Sequence, residues 1–255
     1  MSGSTAAGVD VAKRAADNVK RVHTELGGKS PFIVLDDADL ATAVARNIYR
    51  LMLNSGQTCH APTRLLVPAD KMEAAKAIAK KIAESITVGD PKTDVYMGPV
   101  VSERQWNRIE SLIESGIHEG AKLVTGGTGR PRGLETGFYV KPTVFGDVRN
   151  DMRIAREEIF GPVLCIIGYR GIDEAVAIAN DTIYGLAAYV ESGSDDRANQ
   201  VAARLEAGMV FVNGAGEDPE APFGGYKRSG NGREWGEIAF GEFLQTKAVI
   251  HAHAA

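Results

Sequence analysis

The run Val163–Tyr169 (VLCIIGY) is apolar without alternation. A strand with one wet face alternates apolar and polar residues, whereas a continuous apolar run belongs to a strand covered on both faces, as in a parallel sheet sandwiched between helices. This segment therefore demands helices on either side and parallel neighbours.

The rest of the chain supplies them. Ala6–Asn18 reads as a helix, preceded by Gly3, Ser4 and Thr5, small residues suited to a helix N-terminus. Arg21–Leu26 and Phe32–Leu35 are β-rich and flank the turn Gly27-Gly28-Lys29-Ser30-Pro31. Asp37 is placed to cap a helix carrying Leu40, Val44, Ile48 and Leu51, which ends near Asn54-Ser55-Gly56. Arg64–Val67 reads as a strand and Lys71–Ile86 as a helix. Ser102 and Gln105 have capping-box spacing before Trp106, Ile109, Leu112, Ile113 and Ile117. Lys122–Val124 and Phe138–Phe145 read as strands. After Tyr169, helices at Ile172–Asn180 and Asp195–Glu206 alternate with strands at Leu186–Val190 and Gly208–Val212. Such alternation predicts a layered α/β fold with a largely parallel sheet. Glycine clusters at 125–133 and 224–236 mark long loops, and the second is long enough to suggest function.

At 255 residues, the chain is long enough for one large domain or two small ones, with no need of disulfides or structural metal. Its 33 acidic and 29 basic side chains argue against a nucleic-acid surface. The two cysteines, Cys59 and Cys165, cannot form a framework, and the five histidines lack metal-ligand spacing. Both observations point to a reducing cytoplasm and no bound metal. No apolar run approaches the roughly 18–20 residues of a membrane span, and the N-terminus lacks a signal-peptide core, so neither membrane insertion nor export is expected.

Gly27-Gly28-Lys29-Ser30 invites a phosphate-loop reading, but His23 stands where that motif requires glycine. No G-x-S-x-G elbow occurs. Cys59 lies in the polar loop Asn54–Ala61, a setting that presents a reactive thiol but also suits a half-buried structural one. Cys165, flanked by Val163, Leu164, Ile166 and Ile167, reads as an inert core residue. His60 follows Cys59 directly; since neighbouring side chains usually diverge, no Cys-His dyad is expected. His251 and His253 are expected to face solvent. Glu25, beside two glycines that permit close approach, reads as a general base or a solvated strand-end acid. Glu157-Glu158 reads as a surface turn or as a carboxylate for a sugar hydroxyl.

The motifs Glu25-Leu26-Gly27-Gly28-Lys29-Ser30-Pro31, Gly56-Gln57-Thr58-Cys59, Glu157-Glu158-Ile159-Phe160-Gly161-Pro162, Asn180 with Tyr184-Gly185-Leu186, Pro222-Phe223-Gly224-Gly225 and Gly232-Arg233-Glu234 together resemble the aldehyde dehydrogenase superfamily, in order and separation, from Gly3 to near Val249. The resemblance implies that Cys59 is the nucleophile, adding to an aldehyde to give a thiohemiacetal that loses hydride to NAD or NADP and leaves a thioester. Glu25 would activate the water that releases the acid. Glu158 would bond the nicotinamide ribose, Phe160 would pack beside the nicotinamide, Leu26 would contact the cofactor, and Gly3 and Ser4 would meet the pyrophosphate at a helix N-terminus.

Members of that family are roughly twice this long, so the resemblance places the chain in their C-terminal half. It implies a remnant of the dinucleotide-binding domain at 1–27, a catalytic domain at 28–227 and a tail with an oligomerisation strand at 228–255. Most of the Rossmann-like cofactor domain is then absent and cofactor binding by this chain alone is impaired. A small-molecule aldehyde, a homo-oligomer with a dimer first, and a separately supplied N-terminal half are the implied partners. The alternatives are a non-catalytic, self-associating remnant and a weak cofactor-independent thiol esterase. After Gly232-Arg233-Glu234, the stretch Trp235–Leu244 departs from the family's usual pattern.

Overall fold

The computed structural model describes residues Met1–Ala252. In chain order the main elements are α1 (Thr5–Ala16), β1 (Pro31–Val34), α2 (Leu40–Met52), β2 (Arg64–Pro68), α3 (Met72–Ser85), α4 (Glu103–His118), β3 (Lys122–Thr125), β4 (Thr143–Gly146), α5 (Arg153–Arg156), β5 (Val163–Tyr169), α6 (Ile172–Asn180), β6 (Tyr184–Gly185), β7 (Ala187–Glu191), α7 (Asp195–Ala202), β8 (Met209–Val212), β9 (Tyr226–Lys227) and α8 (Phe240–Phe243). The principal sheet has seven strands in the order β3-β4-β5-β2-β1-β7-β8. Every pairing in it is parallel except that of the edge strand β3 with β4. The apolar run that opened the argument is β5, interior between β4 and β2, with Cys165 opposite Arg64 and Ile167 opposite Leu66.

Successive residues of each strand feed opposite layers, as the period of two requires. Ile33, Leu66, Cys165, Ile167 and Val190 pack with Ile109, Leu112 and Ile113 of α4 and with α6 and α7. Phe32, Leu65, Leu164, Ile166 and Tyr189 pack with Val44, Ile48 and Leu51 of α2 and with Ala75 and Ala79 of α3. Each large side chain so buried contributes about 1.5–3 kcal/mol. Cys165 is the expected inert thiol, fully buried, its sulfur 3.4 Å from the Ile154 carbonyl it donates to. Arg64, also fully buried, ties the two halves of the sheet region together. It donates to the carbonyls of Lys29, Ile178 and Ala179 and to the Asn150 side chain.

Several expected elements differ in detail. Arg21–Leu26 is not a sheet strand: Glu25 alone makes isolated bridges, to Ser2 and to Gly230. The Phe138–Phe145 strand is confined to its end, because Pro142 lacks the N–H that a ladder needs and the Phe138 carbonyl accepts from Val100 instead. The cap of α2 is Asp39, which accepts from the Thr42 N–H at 2.7 Å, while Asp37 accepts from Ser192. α7 stops at Ala202, four residues before Glu206, in a short turn through Arg204. Phe243–His251 forms no strand within the single chain; Phe243, Leu244, Val249 and Ile250 are exposed. His251 faces solvent as expected, and His253 lies outside the described residues. Among the described residues no helix is long and apolar enough to cross a membrane.

Candidate active site

Cys59 and Glu25, together with Gly3, Ser4, Leu26, Glu158 and Phe160, line one cleft of about 1130 Å³. The chain reaches this arrangement through a stretch of unusual backbone. Asn54, Ser55 and Gly56 follow α2 with φ of +50°, +57° and +72°, a left-handed run that turns the chain sharply before Cys59. Two non-glycine residues there carry strain of order 1–3 kcal/mol each, of the kind that collects at functional sites. Hydrogen bonds hold the run in place. The Asn54 and Gln57 side chains each donate to the other's carbonyl, and the Ser55 hydroxyl donates to the Gly98 carbonyl. Gly56 is obligatory, because a Cβ would overlap the Gly161 carbonyl.

Gly27-Gly28 permits the close approach expected of it. A Cβ on Gly27 would overlap the Glu158 carboxylate, and one on Gly28 would lie 2.5 Å from the Cys59 carbonyl oxygen. The paired glycines thus bring the thiol loop and Glu158 against the segment that carries Glu25. Glu158 accepts from the Gly28 N–H at 3.1 Å, and its own carbonyl accepts from Arg108. Gln105 caps nothing with its side chain, contrary to the capping-box pattern. Only the Ser102 half of the box forms, and the Gln105 amide donates instead to the carbonyls of Ile159 and Phe160. This fixes Phe160, itself left-handed at φ +57°, at the cleft wall.

The site's electrostatics follow from burial. Glu25 has a side chain 4% exposed, and neither carboxyl oxygen has a hydrogen-bond partner. Burial first, and then the negative charge of Glu234, raise its pKa from 4.5 to about 7. A carboxyl so placed exchanges protons near neutrality, as a general base must. Half-buried Cys59 is pushed up to about 11 by burial and then by the Glu158 charge, although backbone N–H groups of Cys59 and His60 act in the opposite direction. At pH 7 about one such thiol in ten thousand would be ionised without help. A nearby base would raise that fraction.

The structure also corrects the expectation that Cys59 and His60 diverge. The Cys59 sulfur lies 3.9 Å from His60 Nδ1, and His60 Nε2 lies 2.9 Å from the Glu217 carboxylate. Glu217, Glu234, Gln105 and Arg108 face the same cleft and were not among the expected site residues. Glu234 was visible in the Gly-Arg-Glu motif, and Gln105 was visible only as a helix cap. Glu217 lies in a loop without local signal. No three His, Cys, Asp or Glu side chains among the described residues converge on a metal-sized site.

At the other end of the cleft, the first turn of α1 has its N-cap Ser4 bonded to the Ala7 N–H and contains no acidic residue. A helix N-terminus of this kind carries unpaired N–H groups and a positive dipole end, which fit an anion. The residues present therefore fit the pyrophosphate and ribose ends of a dinucleotide.

The aldehyde dehydrogenase family profile matches residues 1–249. The chain belongs to this family. It is 54% identical over 251 residues to 3-succinoylsemialdehyde-pyridine dehydrogenase of a Pseudomonas species, a match covering 98% of this chain and 53% of that protein. Among solved structures it resembles a mutant of aldehyde dehydrogenase C from Pseudomonas syringae complexed with NAD+ and octanal. That match has a TM-score of 0.95 and 54% identity, and covers 97% of this chain and 51% of the other. A Mycobacterium tuberculosis aldehyde dehydrogenase complexed with NAD+ matches with a TM-score of 0.93 and 44% identity, over 96% of this chain and 50% of that one. The chain thus spans about half the length of these relatives.

Proposed function

We propose that this chain is the catalytic portion of an NAD(P)+-dependent aldehyde dehydrogenase that oxidises an aldehyde to a carboxylic acid through Cys59. The observation that carries the reading is the single cleft in which Cys59 and buried Glu25 meet the Glu158–Phe160 loop and the N-terminus of α1. The Cys59 thiolate attacks the aldehyde carbon, the C–S bond forms, and the carbonyl pair moves to oxygen. The Cys59 backbone N–H stabilises that oxyanion. NAD(P)+, when bound, supplies the hydride acceptor; Glu158 would hold its ribose, Phe160 and Leu26 would flank it, and Gly3 and Ser4 would meet its pyrophosphate. Glu25 takes a proton from water as the water attacks the Cys59 thioester, which frees the acid and the thiol.

The order of the motifs and the half-length matches support placing the chain in the C-terminal half of the family's polypeptide. On that placement 1–27 is a remnant of the dinucleotide-binding domain, 28–227 the catalytic domain and 228–255 the tail. The exposed apolar tail, Phe240 to Ile250, favours a homo-oligomer, with a dimer the first form to test by sedimentation. The mildly acidic composition and free cysteines suit a reducing cytoplasm.

The test is to supply purified chain with an aldehyde and NAD+, and separately with an activated ester, with and without the N-terminal half. Cofactor reduction that disappears in Cys59→Ala supports the reading. Ester turnover with no cofactor reduction, even with the N-terminal half present, overturns it in favour of a thiol esterase.

A further inference from the structure

The Cys59 thiol has a ring nitrogen as a near neighbour. Thr58 to Ala61 form a turn closed by the Ala61 N–H on the Thr58 carbonyl, so Cys59 and His60 occupy its two central positions. Side chains at those positions can lie together on the outer edge of the turn, unlike those of adjacent strand residues. Here the Cys59 sulfur and His60 Nδ1 are 3.9 Å apart.

His60 is held in place from several directions. Its Nε2 is 2.9 Å from Glu217 Oε1, its carbonyl accepts from the Tyr189 hydroxyl at 3.0 Å, and Phe223 meets its ring edge-on. Tyr189 is itself stacked between Phe32 and Phe211. With a carboxylate on one ring nitrogen, the neutral imidazole keeps its proton there, on Nε2, and presents a lone pair from Nδ1. The Cys59 sulfur is 3.9 Å from that nitrogen. The imidazole and Glu217 also line a second cavity of about 780 Å³ behind the cleft, so they form the wall between the two spaces.

We infer that Glu217, His60 and Cys59 form a proton relay in which His60 Nδ1 takes the Cys59 thiol proton, leaving Glu25 free for the water step. The inference rests on Cys59 being the nucleophile. The S–H bond breaks, its electron pair stays on sulfur as the thiolate, the proton forms a new N–H bond on Nδ1, and the imidazolium is stabilised by the Glu217 carboxylate. No other reactant is consumed. The same three roles, nucleophile, base and orienting carboxylate, recur wherever a side-chain nucleophile is activated in this way.

The charges around the relay are consistent with these roles. Burial, followed by the positive charge of Arg50 from α2, keeps His60 below the ordinary histidine pKa, while Glu217 acts in the opposite direction. The imidazole is therefore neutral and able to accept a proton at pH 7. Glu158 and Glu25 face the thiol from their own segments and oppose its ionisation.

The test needs neither cofactor nor the N-terminal half. The rate of Cys59 alkylation by iodoacetamide is followed against pH, with mass spectrometry separating Cys59 from buried Cys165. In His60→Gln the inflection should move to higher pH, with reaction at pH 7 slower by about a hundredfold, the low end of a positioned general base. The two profiles should converge in alkali. Glu217→Gln should move the profile the same way by a smaller step, and Glu25→Gln should not move it upward. If His60→Gln does not fold, judged by its thermal melt, Glu217→Gln with His60 intact carries the test. Unmoved profiles in both relay variants, or an upward shift in Glu25→Gln alone, overturn the relay. A Cys59 that reacts at no pH overturns the nucleophile reading on which the relay stands.

Discussion

Glu25→Gln removes one titration while nearly keeping the shape of the side chain. In the folded protein the carboxyl is buried without a hydrogen-bond partner and has a pKa raised from 4.5 to about 7. A group whose folded pKa lies above its unfolded value binds its proton more tightly when folded. Its contribution to stability is therefore fully present below pH 4.5 and is lost as pH rises through about 7. The difference between 4.5 and about 7, at about 1.36 kcal/mol per pH unit, corresponds to about 3 kcal/mol. Glutamine cannot ionise, so the variant escapes this loss. Any cost of the buried amide is the same at every pH. The stability difference between variant and wild type should therefore change by about 3 kcal/mol in the variant's favour between roughly pH 4 and pH 9. For a chain of this size that is about 6–12 °C in Tm. Thermal melts or urea titrations of both proteins across that range measure it. Parallel curves would show that Glu25 titrates like an exposed acid, and would remove the argument that it is poised as a base. Function should move the other way. The ionised form that destabilises the fold is the one able to accept a proton, so thioester or ester hydrolysis should rise with pH through about 7 in wild type and be lost in Glu25→Gln.

Other substitutions test how the site is held. Gly56→Ala forces a Cβ onto the Gly161 carbonyl from a left-handed backbone, and should cost more than about 2 kcal/mol in urea unfolding while slowing Cys59 alkylation. Arg64→Ala leaves the carbonyls of Lys29, Ile178 and Ala179 without this donor, at about 1–3 kcal/mol each; a fall in the urea midpoint equivalent to about 3–9 kcal/mol is expected, with slope unchanged. Asp39→Ala should cost about 1 kcal/mol by removing the α2 cap, whereas Asp37→Ala should leave α2 capped. An equal loss of helix stability in both would contradict the observed cap.

The parts of the fold legible in sequence are those set by period and burial together. β5 needed nothing but its own residues, since seven positions with no polar member have only one kind of home in an α/β protein. α2 and α4 followed from apolar residues three and four apart. The failures share a cause. Arg21–Leu26 has strand composition, but among the described residues its backbone partners lie at Met1–Gly3 and Ser229–Asn231, which no local pattern reveals. Phe138–Phe145 was shortened by a proline, and Asp37 is taken up by Ser192 and Arg197, which leaves the α2 cap to Asp39. Tertiary partners decided each case.

At the site, the same division explains what was missed. Cys59, Glu25 and Glu158 were legible through the motifs that resemble the family's, and of their surroundings only Gly27 and Gly28, which leave room for Glu158 and the Cys59 carbonyl, were visible locally. His60 was set aside by a rule that holds for strands, where side chains alternate, and fails in a turn. The backbone that makes it fail is the Thr58–Ala61 turn, which follows the left-handed Asn54 and Ser55. Asn54 and Ser55 are ordinary turn residues by type, so composition could mark a turn there but not its geometry. Glu217 then completes the relay from more than 150 positions further along the chain, in a loop with no periodicity. A residue recruited in this way leaves no trace in sequence until the turn that aims its partner is known. The turn at 58–61 is therefore the structural reason why two adjacent side chains come within 3.9 Å of each other.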